Sequence, residues 1–229
     1  MFLVSDKTDV TAISETLTEL FAAERKAREL HDRLTDYGES RRDELLAALD
    51  DAVDATEDEI EDEAAMCLVC IARLLGEFEG GDVADRLIGV LNTEYAEARS
   101  EAGEQLQGLA FERFKEVALA AERALERLPG GGPALLELPY LLVEVPEPGV
   151  VKLLAKFLAS EDGDVVAAAI EAIAEIGDPA AVRVLLPLQG DKRPCSLGDE
   201  DLEEGDVTVG ELAMEAIELL QVSEDAEGA

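Results

Sequence analysis

The residues of this chain that could do chemistry are two cysteines three apart, one histidine and several dense runs of carboxylates. A Cys-x-x-Cys pair can be half of a zinc site or a redox couple. Zinc needs a second ligand pair, and the only histidine, His31, is far off in sequence. A redox couple belongs at a helix N-terminus after a strand. Cys67 and Cys70 lie instead inside an apolar helical run, which reads as core packing. Cys195 falls in a loop. Three cysteines without framework spacing suit a reducing compartment.

A nucleophile–histidine arrangement would have to use His31, which sits on a long helical stretch with no nucleophile motif beside it. His31 therefore reads as a surface or helix-packing residue. Gly130–Gly132 has neither the spacing nor the lysine of a phosphate-binding loop. The run Asp199-Glu200-Asp201-Leu202-Glu203-Glu204-Gly205 approaches a calcium loop, but Gly205 is its seventh residue and Gly210 its twelfth. An EF-hand wants Gly sixth and Glu twelfth. The run reads as a solvated loop ahead of a helix, where acids suit the dipole. With 54 carboxylates and nothing to mark a pair for acid–base work, the expectation is no enzyme, no metal and no cofactor.

Charge says more about partners. The chain has 229 residues and a formal net charge of −35. Nucleic acid demands a basic stripe to displace counterions, and anionic lipid demands the same. Lys152 and Lys156 are i and i+4 on one helical stretch and Arg183 is on the equivalent stretch that follows, but three cations cannot make a footprint against −35. Pairing with nearby glutamates is their expected use. No apolar run is long enough to span a bilayer, and the start, MFLVSDK, lacks the charge-first order of a signal peptide. A soluble cytoplasmic protein is expected.

The acid is unevenly placed. Residues 1–42 hold 9 acids and 7 bases, whereas residues 43–63 hold 11 acids and no base, and residues 195–229 hold 12 acids and no base. A salt-adapted coat would be acidic throughout, while localised acid marks an interaction surface or a solubilising tail. The near-neutral first segment favours the second reading, and the scarcity of Lys favours the first.

The elements that must position these residues are helices. Apolar residues make up 48% of the chain and aromatics 4%, with no Trp, so the core is built from Ala, Leu, Val and Ile. From Val10 to Tyr37 there is no Gly or Pro, and Ile13, Leu17, Leu20, Ala27 and Leu34 recur at heptad-compatible steps, with Glu24 and His31 in the same seam. Such a helix can pair with its twin, giving a homodimer through residues 10–37. The polar seam residues favour capping of a bundle instead.

Helical patterns follow at Arg41–Val53, Glu57–Leu75, from Asp82 as cap to Leu91, and at Glu94–Leu128 with a division near Gly108. PGGGP at 129–133 is the strongest break. Beyond it come Ala134–Val143, Pro148–Ala159 with Pro at its first position, Asp164–Ile176, and Pro179–Leu188. Leu141–Val145 is the only strand candidate.

The last part repeats. Setting Pro148 on Pro179, an offset of 31, places Val150 on Ala181, Val151 on Val182, Leu153 on Val184, Leu154 on Leu185 and Phe157 on Leu188. Glu171-Ala172-Ile173 recurs as Glu215-Ala216-Ile217, with extra residues in the loop 189–206. Residues Glu147–Gly190, above all AIAEIGDPAAVRVLLPL, and VGELAMEAIELL at 209–220 resemble the HEAT-repeat superfamily. The likeness is to its short prokaryotic repeats, including those related to phycobilisome lyases. Asp164-Val165-Val166 lacks the Arg many such repeats carry near the start of the second helix. The resemblance implies an all-α solenoid: an N-terminal helical region at 1–128, HEAT-like repeats at 133–221 with an acidic insertion at 189–206, and a flexible tail at 222–229.

Composition and resemblance together predict a non-enzymatic adaptor or scaffold that binds another protein, one with a basic surface. One alternative is an inhibitor or immunity protein that mimics nucleic acid and blocks a basic site. Another, implied by the resemblance alone, is a phycobilisome-lyase-related enzyme. The candidate partner-binding residues are Asp50, Asp51, Asp54, Glu57, Asp58 and Glu61, which straddle a helix-to-helix turn, and Asp199, Glu200 and Asp201 in the insertion.

Overall fold

The segment free of Gly and Pro near the start forms one helix, α1 (Ser5–Ser40), in the computed structural model, which describes residues 5–196 and 207–227. Its threonines do not break it, because Thr16 and Thr18 donate their hydroxyls back to the carbonyls of Ala12 and Ser14 at 2.9 and 2.8 Å. Helix α2 (Arg42–Ala55) follows almost without interruption, the amide of Arg41 donating to Tyr37 and that of Leu45 to Arg41. Helical hydrogen bonding thus crosses the junction. The chain divides into two compact units, Met1–Asp54 and Ala55–Ala229.

Among its described residues the second unit is all-α apart from one two-residue ladder. A 3-10 turn at Thr56–Asp58 leads to α3 (Glu61–Leu75), then α4 (Gly81–Leu91) and α5 (Ala96–Arg127). The cap expected at Asp82 lies two residues earlier. Gly80 takes the N-cap with φ 127°, a conformation that glycine alone adopts cheaply, and Asp82 sits in the first turn beside the dipole. The expected division of the next helix lies at Arg113 (φ −135°, ψ 43°), not near Gly108. Nothing crowds Gly108, whereas the Arg113 guanidinium is drawn to the Glu79 carboxylate ahead of α4. The two halves of α5 are thus separate structural helices fused without a loop.

Beyond the Gly-rich break come α6 (Pro133–Val143), α7 (Val150–Phe157) and α8 (Gly163–Ile176). The strand candidate Leu141–Val145 is helical through Val143. Pro148 precedes α7 instead of opening it, Gly149 being the N-cap. The segment after α8 starts as a 3-10 turn (Pro179–Ala181), becomes the short α9 (Val182–Leu185) and tightens again at Leu186–Leu188, where Pro187 removes a donor. A ladder of β1 (Pro194–Cys195) and β2 (Val207–Thr208) closes the insertion before α10 (Val209–Glu227). The Gly-Asp-Pro signal works as its residues dictate. Gly177 ends α8 in the left-handed conformation at φ 72°, Asp178 Oδ1 accepts the Ala180 amide at 2.9 Å, and Pro179 opens the next turn.

These helices stack as successive pairs. The second members, α6, α8 and α10, pack in series, while α7 lies on α8 and the end segment 179–188 on α10. Leu154, Ile170, Ile173 and Leu185, the residues the repeat alignment places between pairs, are fully buried. Arginines and lysines fasten neighbouring helices: Arg73 to Glu101 at 2.8 Å, Arg123 to Asp85 at 2.7 Å, Arg99 to Glu137 at 2.6 Å, and Lys156 to Glu122. Such exposed pairs each contribute about 0–1 kcal/mol. Their larger consequence is that much of the small cationic complement is spent inside the fold. No described helix is long and apolar enough to cross a membrane.

The insertion is anchored at its stems. Asp191 holds Arg193 through two oxygens at 2.6 and 3.1 Å, and Arg193 also donates to the Ser160 carbonyl. A Cβ on Gly210 would stand 2.7 Å from the Asp191 carbonyl oxygen, so glycine lets α10 dock there. Thr208 and Glu211 form a reciprocal capping box: the Thr208 amide donates to Glu211 at 2.9 Å and the Glu211 amide to the Thr208 hydroxyl at 3.3 Å. These bonds to Thr208 hold the Glu211 carboxyl below its ordinary range. Glu211 is therefore part of the N-terminal cap of α10. Thr208→Ala is expected to cost about 0.5–2 kcal/mol, read as a lower urea midpoint. The Glu211 contribution is present at neutral pH and lost as pH falls through its lowered pKa.

Candidate functional site

At the junction between repeats the chain turns twice in the same place. The first turn, Val143–Val151, leaves α6 and enters α7, and the second, Glu175–Asp178, leaves α8. Together they line a cleft of about 610 Å³. Four exposed carboxylates rim it: Glu144 and Glu147 from the first turn, Glu175 and Asp178 from the second. Its floor is apolar, with Val145 buried and Val151 and Ile176 half-buried. No basic side chain lines it.

The cleft is preformed. Backbone bonds within the first turn run from Val145 to the Leu142 carbonyl at 3.1 Å and from Val150 to that of Glu147 at 3.1 Å. Pro146 and Pro148 fix φ on either side of Glu147. Gly149 seats the turn on α5, for a Cβ there would stand 2.9 Å from the Phe114 ring. Acids on a rigid apolar floor, with no cation of their own, attract a cationic side chain and offer its aliphatic stem a surface.

A smaller hollow of about 330 Å³ lies between α6 and α8. Its polar feature is the Tyr140 hydroxyl, which donates to the Glu171 carboxylate. Burial, then the bond to Glu171, raises the Tyr140 phenol well above its ordinary pKa. The pair is a satisfied contact, and Ser196 and Asp164, which accepts the Ser196 amide at 2.5 Å, complete the polar lining.

Asp50, Asp51 and Asp54 are exposed on α2 in the first unit, and Glu57 and Glu61 are exposed in the second. Asp58 ends the 3-10 turn. Asp199, Glu200 and Asp201 lie outside the described residues, as does the whole of the run 199–205. Among the described residues no group of three or more potential ligands is placed to hold a metal. The cysteines depart from core packing. The buried residues of α3 are Ala64, Leu68, Ile71, Ala72, Leu74 and Leu75, whereas Cys67 is half-buried and Cys70 exposed. Cys195 is buried in β1, its thiol donating to the Val207 carbonyl at 3.6 Å, and burial raises its pKa. Alkylation of the native protein should label Cys70 fastest and leave Cys195 unmodified, as peptide mass mapping after digestion would show.

Counting acids along the chain missed the cleft, because its four carboxylates are scattered singly. The signal was in the repeat itself. The offset of 31 that sets Pro148 on Pro179 also sets Glu144 on Glu175 and Glu147 on Asp178. Successive repeats present the same acidic positions, and stacking brings them together.

Comparison with protein families matches residues 114–194 to HEAT repeats. Residues 114–194 are HEAT repeats. The match opens one residue after the break at Arg113, which is where the second half of α5 begins a pair with α6. The HEAT region therefore contains both turns of the acidic cleft. No curated protein matches the chain. Among solved structures, an engineered protein is 22% identical with a TM-score of 0.35, the match covering 86% of this chain and 89% of that one. Human deoxyhypusine hydroxylase, solved in complex with glycerol, is 21% identical with a TM-score of 0.39, over 86% of this chain and 67% of its own.

Proposed function

We propose that this protein is a non-enzymatic interaction module whose HEAT repeats hold a basic segment of another protein. The observation that carries the reading is the cleft between repeats, where Glu144, Glu147, Glu175 and Asp178 surround an apolar floor without a compensating cation. A partner segment with Lys or Arg flanking aliphatic residues fits both features. The head groups meet carboxylates, and the aliphatic side chains cover Val145, Val151 and Ile176. The acid-only stretch 43–63 adds long-range attraction for the same sign of partner. Further support comes from the architecture, since stacked repeats bury a continuous core and leave their turns free for contact.

The test is binding of a fluorescent peptide in which Lys and Arg alternate with Val and Leu. Neutralising the four cleft acids should weaken binding at least tenfold. Equal affinity for the peptide before and after neutralisation would refute the assignment of the cleft.

A further inference from the structure

Helix α1 carries an apolar ribbon that no described residue covers. Ile13, Leu17, Leu20, Phe21, Leu30, Leu34 and Tyr37 are between 38% and 59% exposed. At ~1.5 Å per residue this 36-residue helix is about 54 Å long. Helices owe most of their stability to packing of an apolar face, so a ribbon of this length marks a contact surface.

What covers it is written in the charges of the helix. Residues 5–24 hold five acids and one base, and residues 25–40 hold four acids and four bases. One end is strongly negative and the other balanced, so two copies running in opposite directions keep the two negative ends apart, whereas parallel copies lay them side by side. The seam residues agree. In heptad terms Val10, Leu17, Glu24 and His31 share one seam position, and Ile13, Leu20, Ala27 and Leu34 the other. A parallel pair would set Glu24 against Glu24 and His31 against His31, burying like groups together. An antiparallel pair centred near residue 25 sets Leu17 on Leu34 of the second copy and Glu24 on its Ala27. The small Ala27 leaves room for the longer Glu24, and Arg28 of the second copy flanks it. Neither Glu24 nor Arg28 makes an ion pair with a described residue of its own chain.

We infer that the protein is a homodimer joined by an antiparallel coiled coil of α1 with α1 of a second copy. The polar residues in the seam are then its register device, because the antiparallel alignment sets Arg28 of the second copy beside Glu24, whereas the parallel one sets Glu24 against Glu24. This inference rests on the first unit alone and is independent of the cleft.

Light scattering of the full chain at tens of micromolar should give twice 24.5 kDa. The double variant Leu17→Glu/Leu20→Glu should give the monomer mass and keep the thermal transition of the HEAT region. Orientation is read with a short bismaleimide linker in chains carrying Cys67→Ala and Cys70→Ala. A mixture of Leu17→Cys and Leu34→Cys chains should cross-link, and Leu17→Cys chains alone should not. A monomeric full chain overturns the inference, and such a monomer with the α1 ribbon protected from hydrogen exchange would show folding back within one chain. A dimer that survives Leu17→Glu/Leu20→Glu places the interface elsewhere, and self-linking of Leu17→Cys chains overturns the antiparallel arrangement.

Discussion

Replacing Ile173 by alanine should lower the unfolding free energy by about 2–5 kcal/mol. The side chain is fully buried on α8, the helix that packs against α6, α7 and α10. Removing its outer carbons strips transfer energy and leaves a cavity that three neighbouring helices would have to close at once. Phe157→Ala at the end of α7, also fully buried, should cost about 3–5 kcal/mol for the same reason. Leu186→Ala is the matched control, because that side chain is 49% exposed and should stay within about 0.5 kcal/mol of the parent. Urea unfolding decides the matter through a shifted midpoint with an unchanged slope. An Ile173→Ala midpoint equal to that of the parent would mean that α8 turns a different face to its neighbours.

The register of α8 was legible because short-range chemistry and the repeat agree. Gly177 as stop and the apolar stripe ahead of it leave one way to place Ile170 and Ile173, and the Asp162 cap the structure adds shifts the start by only one residue. Legibility failed where tertiary contacts override local signals. Gly108 looks like the weak point of α5, but the helix yields at Arg113, and the Glu79 partner that holds Arg113 is remote in sequence. Cys67 and Cys70 sit in an apolar run, but α3 needs only one stripe for its core, and which residues fall beside that stripe depends on where α5 lies against it. The cleft illustrates a third case. Its acids were invisible as a cluster in one dimension, although the repeat offset that identified the fold already paired them.

Neutralising the cleft and neutralising the acid-only stretch should have different kinetic signatures. The first variant combines Glu144→Gln, Glu147→Gln, Glu175→Gln and Asp178→Asn, the last because asparagine keeps the cap to Ala180. The second converts Asp50, Asp51, Asp54, Glu57, Asp58 and Glu61 to Asn or Gln. Charge that touches the bound segment governs how long it stays, whereas charge at a distance governs how often it arrives. Cleft neutralisation should therefore raise the dissociation rate of the Lys/Arg–Val/Leu peptide about tenfold or more. Neutralising residues 50–61 should lower the association rate, within the roughly 10–10³-fold range of electrostatic steering, and flatten its dependence on salt. Stopped-flow fluorescence at several ionic strengths separates the two. If both variants changed only the association rate, and by amounts that follow net charge alone, the carboxylates would act as a diffuse coat. Binding would then lie on the mixed and apolar faces of the repeats.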